Sequence, residues 1–355
     1  MVALCATATV AAAEKGGPEL PPTLVLDPLP EPVSNNAVVG VATDDDEYLV
    51  SFSGLGAGRT HDDTLATTWI HPASSRRWSE AGDVPGGVGR LASTATAASE
   101  LAYVFGGYTV AEDGSEVSTP WVHAFDPASG TFTERASMPV PVDDSLALTY
   151  KDRYIYLVSG WHDSGNVNLV QLYDTQTDSW VQATPTPGPA VFGQAGGIVG
   201  NTIVYCDGVR IETFADRRRN FAATDKCLLG VIDPENPRRI DWRDIPSHPG
   251  PARYRMAATG SERLNAIVFV GGSDNPYNYD GIGYDGAPSQ PVPGILVFDL
   301  DARRWDAFTP TTPATMDHRA LLEFDGRFVT VGGMLADQET TSLVLAYQIE
   351  KSPKR

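Results

Sequence analysis

Apolar residues along this chain come in short runs, and six of the runs end in a glycine-type turn: VSFSGL, VFGGY, LVSGW, VYCDG, FVGGS and TVGGM. Their landmark positions are Gly54, Gly107, Gly160, Asp207, Gly272 and Gly333, spaced 53, 53, 47, 65 and 61 residues apart. Runs this short, with helical periodicity nearly absent, predict strands. Five of the six lead on to a second strand, a turn rich in Pro, Asp, Ser or Gly, and an aromatic residue: Trp78, Phe132, Trp180, Trp242 and Trp305. A recurring unit of this length marks a repeat architecture. Each unit reads as four antiparallel strands, a to d, with glycines closing strand b and the aromatic on strand d. Glycine there permits a close backbone approach that a Cβ would block. The large ring on strand d can bury its area against the next unit.

The sixth unit has ALLEF, FVTVGG and SLVLAYQI for strands a to c, and no strand d. The start of the chain supplies one. TLVLDPLPEPVSNNAVVG lines up with FTERASMPVPVDDSLALTY, which is a d strand followed by the a strand of the next unit. Residues Thr23 to Asp27 are therefore expected to complete the sixth sheet. The ring then closes on its own N-terminus and leaves no free sheet edge. The predicted fold is all-β: a six-bladed β-propeller over residues 14–350, with a tail at 351–355.

Chain direction decides which loops share a face. The d–a linkers and b–c loops emerge on one side, and the short a–b and c–d turns on the other. The b–c loops are long: residues 55–66, 108–120, 161–168, 208–226 and 273–293. Loops longer than a connection requires are functional more often than short ones, so the site is expected on that rim. The d–a linkers feed the inner strands there. Aligned on the residue before each strand, they present Asn35, Arg90, Asp144, Phe192, Tyr254 and Asp317. Asn36, Asp143, Gln194, Arg253, Arg255, His318 and Arg319 flank these positions. Polar groups can simply line a hydrated channel, but crowded Arg, Asp and His suit a small anionic or polyhydroxyl ligand.

The loops add further candidates. SGWHDSGN offers Trp161 for sugar stacking, with His162 for acid–base work. The fourth loop offers Arg210 and Glu212 over the mouth. The loop containing NPYNYDGIGYDGAP has the composition of a calcium loop without its ligand spacing, so no metal is assigned to it. GLGAG at 54–58 has no helix after it and is no phosphate cradle.

Composition narrows the partners. A net charge of −19 over 355 residues argues against nucleic acid and against anionic membrane surfaces, both of which require clustered Lys and Arg. No apolar run reaches the roughly 18 residues of a membrane span. Residues 1–13 resemble the end of a secretory signal, with Ala11 and Ala13 placed for cleavage before Glu14. A periplasmic or secreted location is therefore expected. Cys206 and Cys227 then remain, as one disulfide or as a buried thiol pair.

The repeated glycine turns and outer-strand aromatics resemble the kelch repeat over nearly the whole chain. Among kelch proteins, the chain is similar to the secreted bacterial sialic-acid mutarotase (N-acetylneuraminate epimerase) group. It shares the early Gly54-Leu55-Gly56 and the Pro85-Gly86-Gly87 linker. The resemblance implies an isomerase that needs no cofactor and acts on a small acidic sugar. Glu212, His162 or His318 would serve as acid or base. Arg90, Arg253 or Arg255 would clamp the sugar carboxylate, with Arg319, Arg210, Asp144, Asp317 and Trp161 completing the site. Two alternatives stay open: a non-enzymatic module presenting its rim to a glycan or a protein, and a copper-dependent carbohydrate oxidase of the galactose-oxidase type, which needs a Tyr–Cys crosslink.

Overall fold

The computed structural model describes residues 24–214, 217–310 and 313–350. Six four-stranded antiparallel sheets follow one another around an axis. Blade 1 is Ala37–Ala42, Glu47–Leu55, Thr64–Pro72 and Ser79–Asp83. Blade 2 is Thr94–Ala98, Leu101–Phe105, Val122–Asp126 and Thr131–Arg135. Blade 3 is Leu146–Tyr150, Tyr154–Val158, Val170–Asp174 and Ser179–Gln182. Blade 4 is Ala195–Val199, Thr202–Cys206, Cys227–Ile232 and Ile240–Ile245. Blade 5 is Ala257–Ser261, Ala266–Val270, Ile295–Asp299 and Arg304–Phe308. Blade 6 takes Leu322–Phe324, Arg327–Val331 and Val344–Tyr347, and its outer strand is Leu24–Leu26 from the other end of the chain. The closing register pairs Leu24 with Ala346, Val25 with Leu345 and Leu26 with Val344. The signal-like residues 1–13 and the tail 351–355 lie outside the described residues.

Packing between blades explains the outer-strand tryptophans. The indole N–H of Trp180 donates to Ala136 O (2.8 Å), that of Trp242 to Thr184 O (3.2 Å), and that of Trp305 to Pro246 O (2.8 Å). Trp78 donates to Asp27 O (2.9 Å) in the same way. Every acceptor is a carbonyl at the end of the preceding blade's outer strand. Trp78 therefore ties the N-terminal strand into the ring. Such a bond contributes on the order of 1 kcal/mol net. Apolar clusters fill the space between neighbours, for example Leu148, Tyr156 and Leu172 against Ile203, Tyr205 and Leu228.

Two details bear on the rim. Gly271, which closes strand b of blade 5, has φ 68°, and a Cβ there would stand 2.2 Å from Thr315 O. Glycine is required by both conformation and space. In blade 4 the equivalent turn carries Asp207, and the residue before it, Cys206, is disulfide-bonded to Cys227. The two are direct cross-strand partners with Cα atoms 4.1 Å apart, and they close the base of the loop between them. Replacing both by Ala is expected to cost about 3 kcal/mol in denaturant unfolding, the chain-entropy value for a loop of this length. A loss below about 1 kcal/mol would show that the hairpin holds the loop without the bond.

Candidate active site

Three small hairpins stand on the rim of long loops. They are Tyr108–Val110 with Glu116–Ser118, Trp161–His162 with Gly165–Asn166, and Val209–Phe214 with Arg217–Ala223. Beneath them each d–a linker turns to enter its inner strand, and one residue per blade takes a left-handed conformation. These residues are Asn35 (φ 57°), Ala92 (54°), Asp144 (47°), Gly193 (64°), Arg255 (54°) and Asp317 (68°). The residue before each one makes an antiparallel bridge to the residue just past the strand b turn, as in Asp143 with Trp161 and Tyr254 with Ser273. Backbone bonds join the turns around the axis: Ala92 N to Asn35 O, Asp144 N to Ala92 O, Gly193 N to Asp144 O and Arg255 N to Gly193 O.

This geometry corrects the expected ring register. The equivalent positions in blades 2, 4 and 5 are Ala92, Gly193 and Arg255, not Arg90, Phe192 and Tyr254. Arg90 and Arg253 each sit two residues before the turn, where they do another job. Arg90 Nη1 donates to Gly106 O (2.9 Å), and Arg253 Nη1 to Gly271 O (3.1 Å). Both brace a strand b glycine turn, and neither lines the cavity described below. Burial lowers the Arg90 pKa to about 10.

Arg255 and Arg319 are committed to a buried ion network that closes the axial channel. Arg255 binds Asp144 through Nε (3.1 Å) and Nη2 (2.5 Å), and Asp317 through Nη1 (3.0 Å). Arg319 reaches Asp144 (3.1 Å) and Asp317 (3.3 Å) and donates to Asn35 Oδ1. Asn35 Nδ2 donates to Asp317 Oδ2 at 2.9 Å. The four charged side chains are at most 3% exposed. Burial alone would raise the Asp144 carboxyl, but Arg255 and then Arg319 outweigh it and hold it below the usual range. On the far side of this plug, the inner strands enclose a channel cavity of about 250 Å³.

On the rim side lies a second cavity, of about 130 Å³, lined by Tyr108, Glu116, Asp143, Asp144, Trp161, Phe192, Phe221, Arg255, Asn278, Tyr279 and Tyr284. Three carboxyls reach its wall, Asp143, Asp144 and Glu116, and Asp144 is already held by the ion network. Asp143 is buried, and its pKa is pushed well above the carboxylate range. Desolvation is the main cause, then the Asp144 charge, partly offset by a hydrogen bond from Ser118 Oγ to Asp143 Oδ2 (2.6 Å). Glu116 lies on the same hairpin as Ser118, two residues away. Loss of water raises its carboxyl pKa too; Arg255 opposes this and Asp144 adds to it. The hairpin is fixed by a bond from Ser118 N to Asp163 Oδ1 (2.8 Å). Aromatic rings form the opposite wall: Trp161 packs on Phe192 (5.4 Å) and Phe221 (5.8 Å), and Phe221 on Tyr284 (4.2 Å).

The chain is similar to a solved protein, YjhT. The likeness has a TM-score of 0.71 at 15% sequence identity, and covers 92% of this chain and 97% of that one. It supports the six-bladed propeller, and at this identity it speaks to the fold alone. No family model matches the chain, and no curated protein does.

The other expected site residues are spread out. Asp144 and Trp161 lie on the cavity wall, while Asp317 stands below it in the ion network. His318 is buried against Thr315 Oγ1 (2.9 Å), and burial lowers its pKa to about 4, so it is a neutral structural residue away from the cavity. His162 and Glu212 do not line the cavity. Glu212 pairs with Arg210 at 2.5 Å, so both are turned to each other. In the loop with calcium-like composition, Asp280 and Asp285 accept backbone N–H bonds from Ile282 and Ala287. Among the described residues, no group of three or more His, Cys, Asp or Glu could hold a metal ion. Glu116, Tyr108 and Phe221 went unnoticed in the sequence. The excess length of their loops was the only signal.

Proposed function

We propose that the chain binds a small sugar in the Asp143 cavity and interconverts its anomers by proton transfer. The observation that carries this is the pair of cavity carboxyls Asp143 and Glu116, the first buried with its pKa pushed well above the carboxylate range, the second raised by desolvation but opposed by Arg255. Such pairs separate acid from base roles in proton-transfer sites. Asp143, kept protonated, supplies the acid. Glu116, at the mouth, supplies the base. Glu116 takes the proton of the anomeric hydroxyl, the carbonyl forms, and the bond from the anomeric carbon to the ring oxygen breaks. Asp143 delivers its proton to that ring oxygen. Rotation about the exposed bond and the reverse transfers close the other anomer and restore both carboxyls. The aromatic side chains Phe221, Tyr279 and Tyr284 give the cavity an apolar side for the sugar's C–H face.

The likeness to sialic-acid mutarotases drawn from the sequence suggests an acidic sugar. The clamp expected for its carboxylate has lost its donors, because Arg255 is held by Asp144 and Asp317, and Arg90 and Arg253 brace glycine turns. Geometry therefore supports the sugar and the proton transfer more than it supports the acid group. A Tyr–Cys oxidase site is not favoured either, since Cys206 is bonded to Cys227. Export belongs to the same proposal; a buried disulfide suits an oxidising compartment.

The test is to add protein to freshly dissolved α-anomers of reducing sugars and to follow the approach to equilibrium by NMR. Faster equilibration is the expected result. Chemical-shift changes without acceleration would leave a binding module in place of an enzyme.

A further inference from the structure

We infer that the cavity selects a positively charged, hydroxylated ligand, such as an amino sugar with a free ammonium group, over a neutral sugar and over a sugar acid. The inference rests on reading this cavity as the sugar site. Its charge argument stands on the side chains alone.

The ion network beside the cavity is balanced. Arg255 and Arg319 face Asp144 and Asp317, two cations against two carboxylates, all buried. A ligand in the cavity meets that cluster as a neutral wall. What remains is Glu116, a carboxylate with no cation of its own among the described lining residues, beside Asp143, which is kept protonated and adds no charge. An anion entering here would meet that carboxylate with nothing to offset it. A cation would balance it. Arg255, the one guanidinium among the described lining residues, is not available as a compensating clamp: all three of its nitrogens already donate to carboxylates.

The opposite wall points the same way. Phe221, Tyr279 and Tyr284 line the pocket on that side, and aromatic rings beside carboxyls hold ammonium groups through the ring quadrupole. The net charge of −19 draws cations toward the molecule before they reach the mouth. A sugar with an ammonium in place of one hydroxyl keeps the stacking surface and the anomeric centre, and adds the one charge this cavity lacks.

The experiment uses four monosaccharide probes: glucosamine, glucose, glucuronate and N-acetylneuraminate. Binding is measured by NMR titration of the full chain at neutral pH and low salt, with tetramethylammonium as a cation that is not a sugar. Glucosamine is expected to bind about 10-fold or more tighter than glucose, on the scale of a desolvated cation–π contact, and the acids are expected to bind more weakly still. Tetramethylammonium should compete with glucosamine. Glu116→Gln, on an exposed hairpin, should shrink the preference, and so should added salt. Glucuronate or N-acetylneuraminate binding as tightly as glucosamine would overturn the inference. So would a failure of tetramethylammonium to compete. Anomer exchange read in the same samples separates the two proposals. Tight binding and exchange of an acid would sink the charge preference and leave the mutarotase reading. Glucosamine binding without exchange of any sugar would do the reverse.

Discussion

Replacing Arg255 by Met is expected to cost about 3–5 kcal/mol of stability, the usual penalty for removing one partner of a buried ion pair. The side chain is 3% exposed and donates to two carboxylates, Asp144 and Asp317. Without it, Asp144 keeps Arg319 alone, at 3.1 Å, inside a site that excludes water. The backbone bonds at this position, Arg255 N to Gly193 O and His318 N to Arg255 O, are available to Met as well. The apolar stem of Met fills part of the vacated volume, so the loss reports mainly on charge. Arg255→Met combined with Asp144→Asn should recover most of the loss, because it removes the carboxylate left uncompensated and restores balance between Arg319 and Asp317. Urea unfolding of the wild type, the single variant and the double variant gives the comparison. A single variant within about 1 kcal/mol of wild type, or a double variant worse than the single, would show that the network is not what closes the axis.

The same network shows why part of this molecule can be read from its sequence and part cannot. Strand b glycines and outer-strand tryptophans are local signals: Gly271 is dictated by φ and by Thr315 O, and Trp305 by one carbonyl in the preceding blade. They recur at near-regular spacing, so the blades, the N-terminal closure and the rim of long loops could all be anticipated. The Cys206–Cys227 pair is a cross-strand neighbour at a predicted turn and was legible for the same reason.

Ring register is different in kind. The left-handed residue of each linker is Asn, Ala, Asp, Gly, Arg or Asp, so no residue type announces it. An error of one or two positions moved Arg90 and Arg253 from blade braces into an imagined anion clamp. Pairing was hidden too. Asn35 meets Asp317 across 282 residues, and Arg255 meets Asp144 across 111, and both contacts exist only once the ring has closed. A list of arginines near a channel mouth carries no record of which carboxylate already holds each one.

Converting Asp143 to Asn is expected to slow anomer exchange by about 10²- to 10⁴-fold, the usual worth of a positioned proton donor. Sugar affinity should change by only a few-fold. Asn keeps the shape and can still accept the Ser118 hydroxyl bond now made to Oδ2. It cannot surrender a proton to a ring oxygen. In the wild type the active form of Asp143 is protonated, and its pKa is raised, so exchange should fall as pH rises through that value. Residual exchange in the variant should lack this alkaline limb. Wild-type stability should follow the same direction with pH. A carboxyl whose folded pKa is raised stabilises the fold below its unfolded pKa and loses that contribution as pH rises through the folded value. The wild type should therefore lose stability relative to Asp143→Asn as pH climbs above about 4. Full activity in the variant would remove Asp143 from the chemistry. Lost activity with lost stability at every pH would make it a structural residue. Lost activity with unchanged or higher stability at neutral pH is the outcome that assigns its proton to the reaction, because burial of an ionisable carboxyl is a cost that folding alone gives no reason to keep.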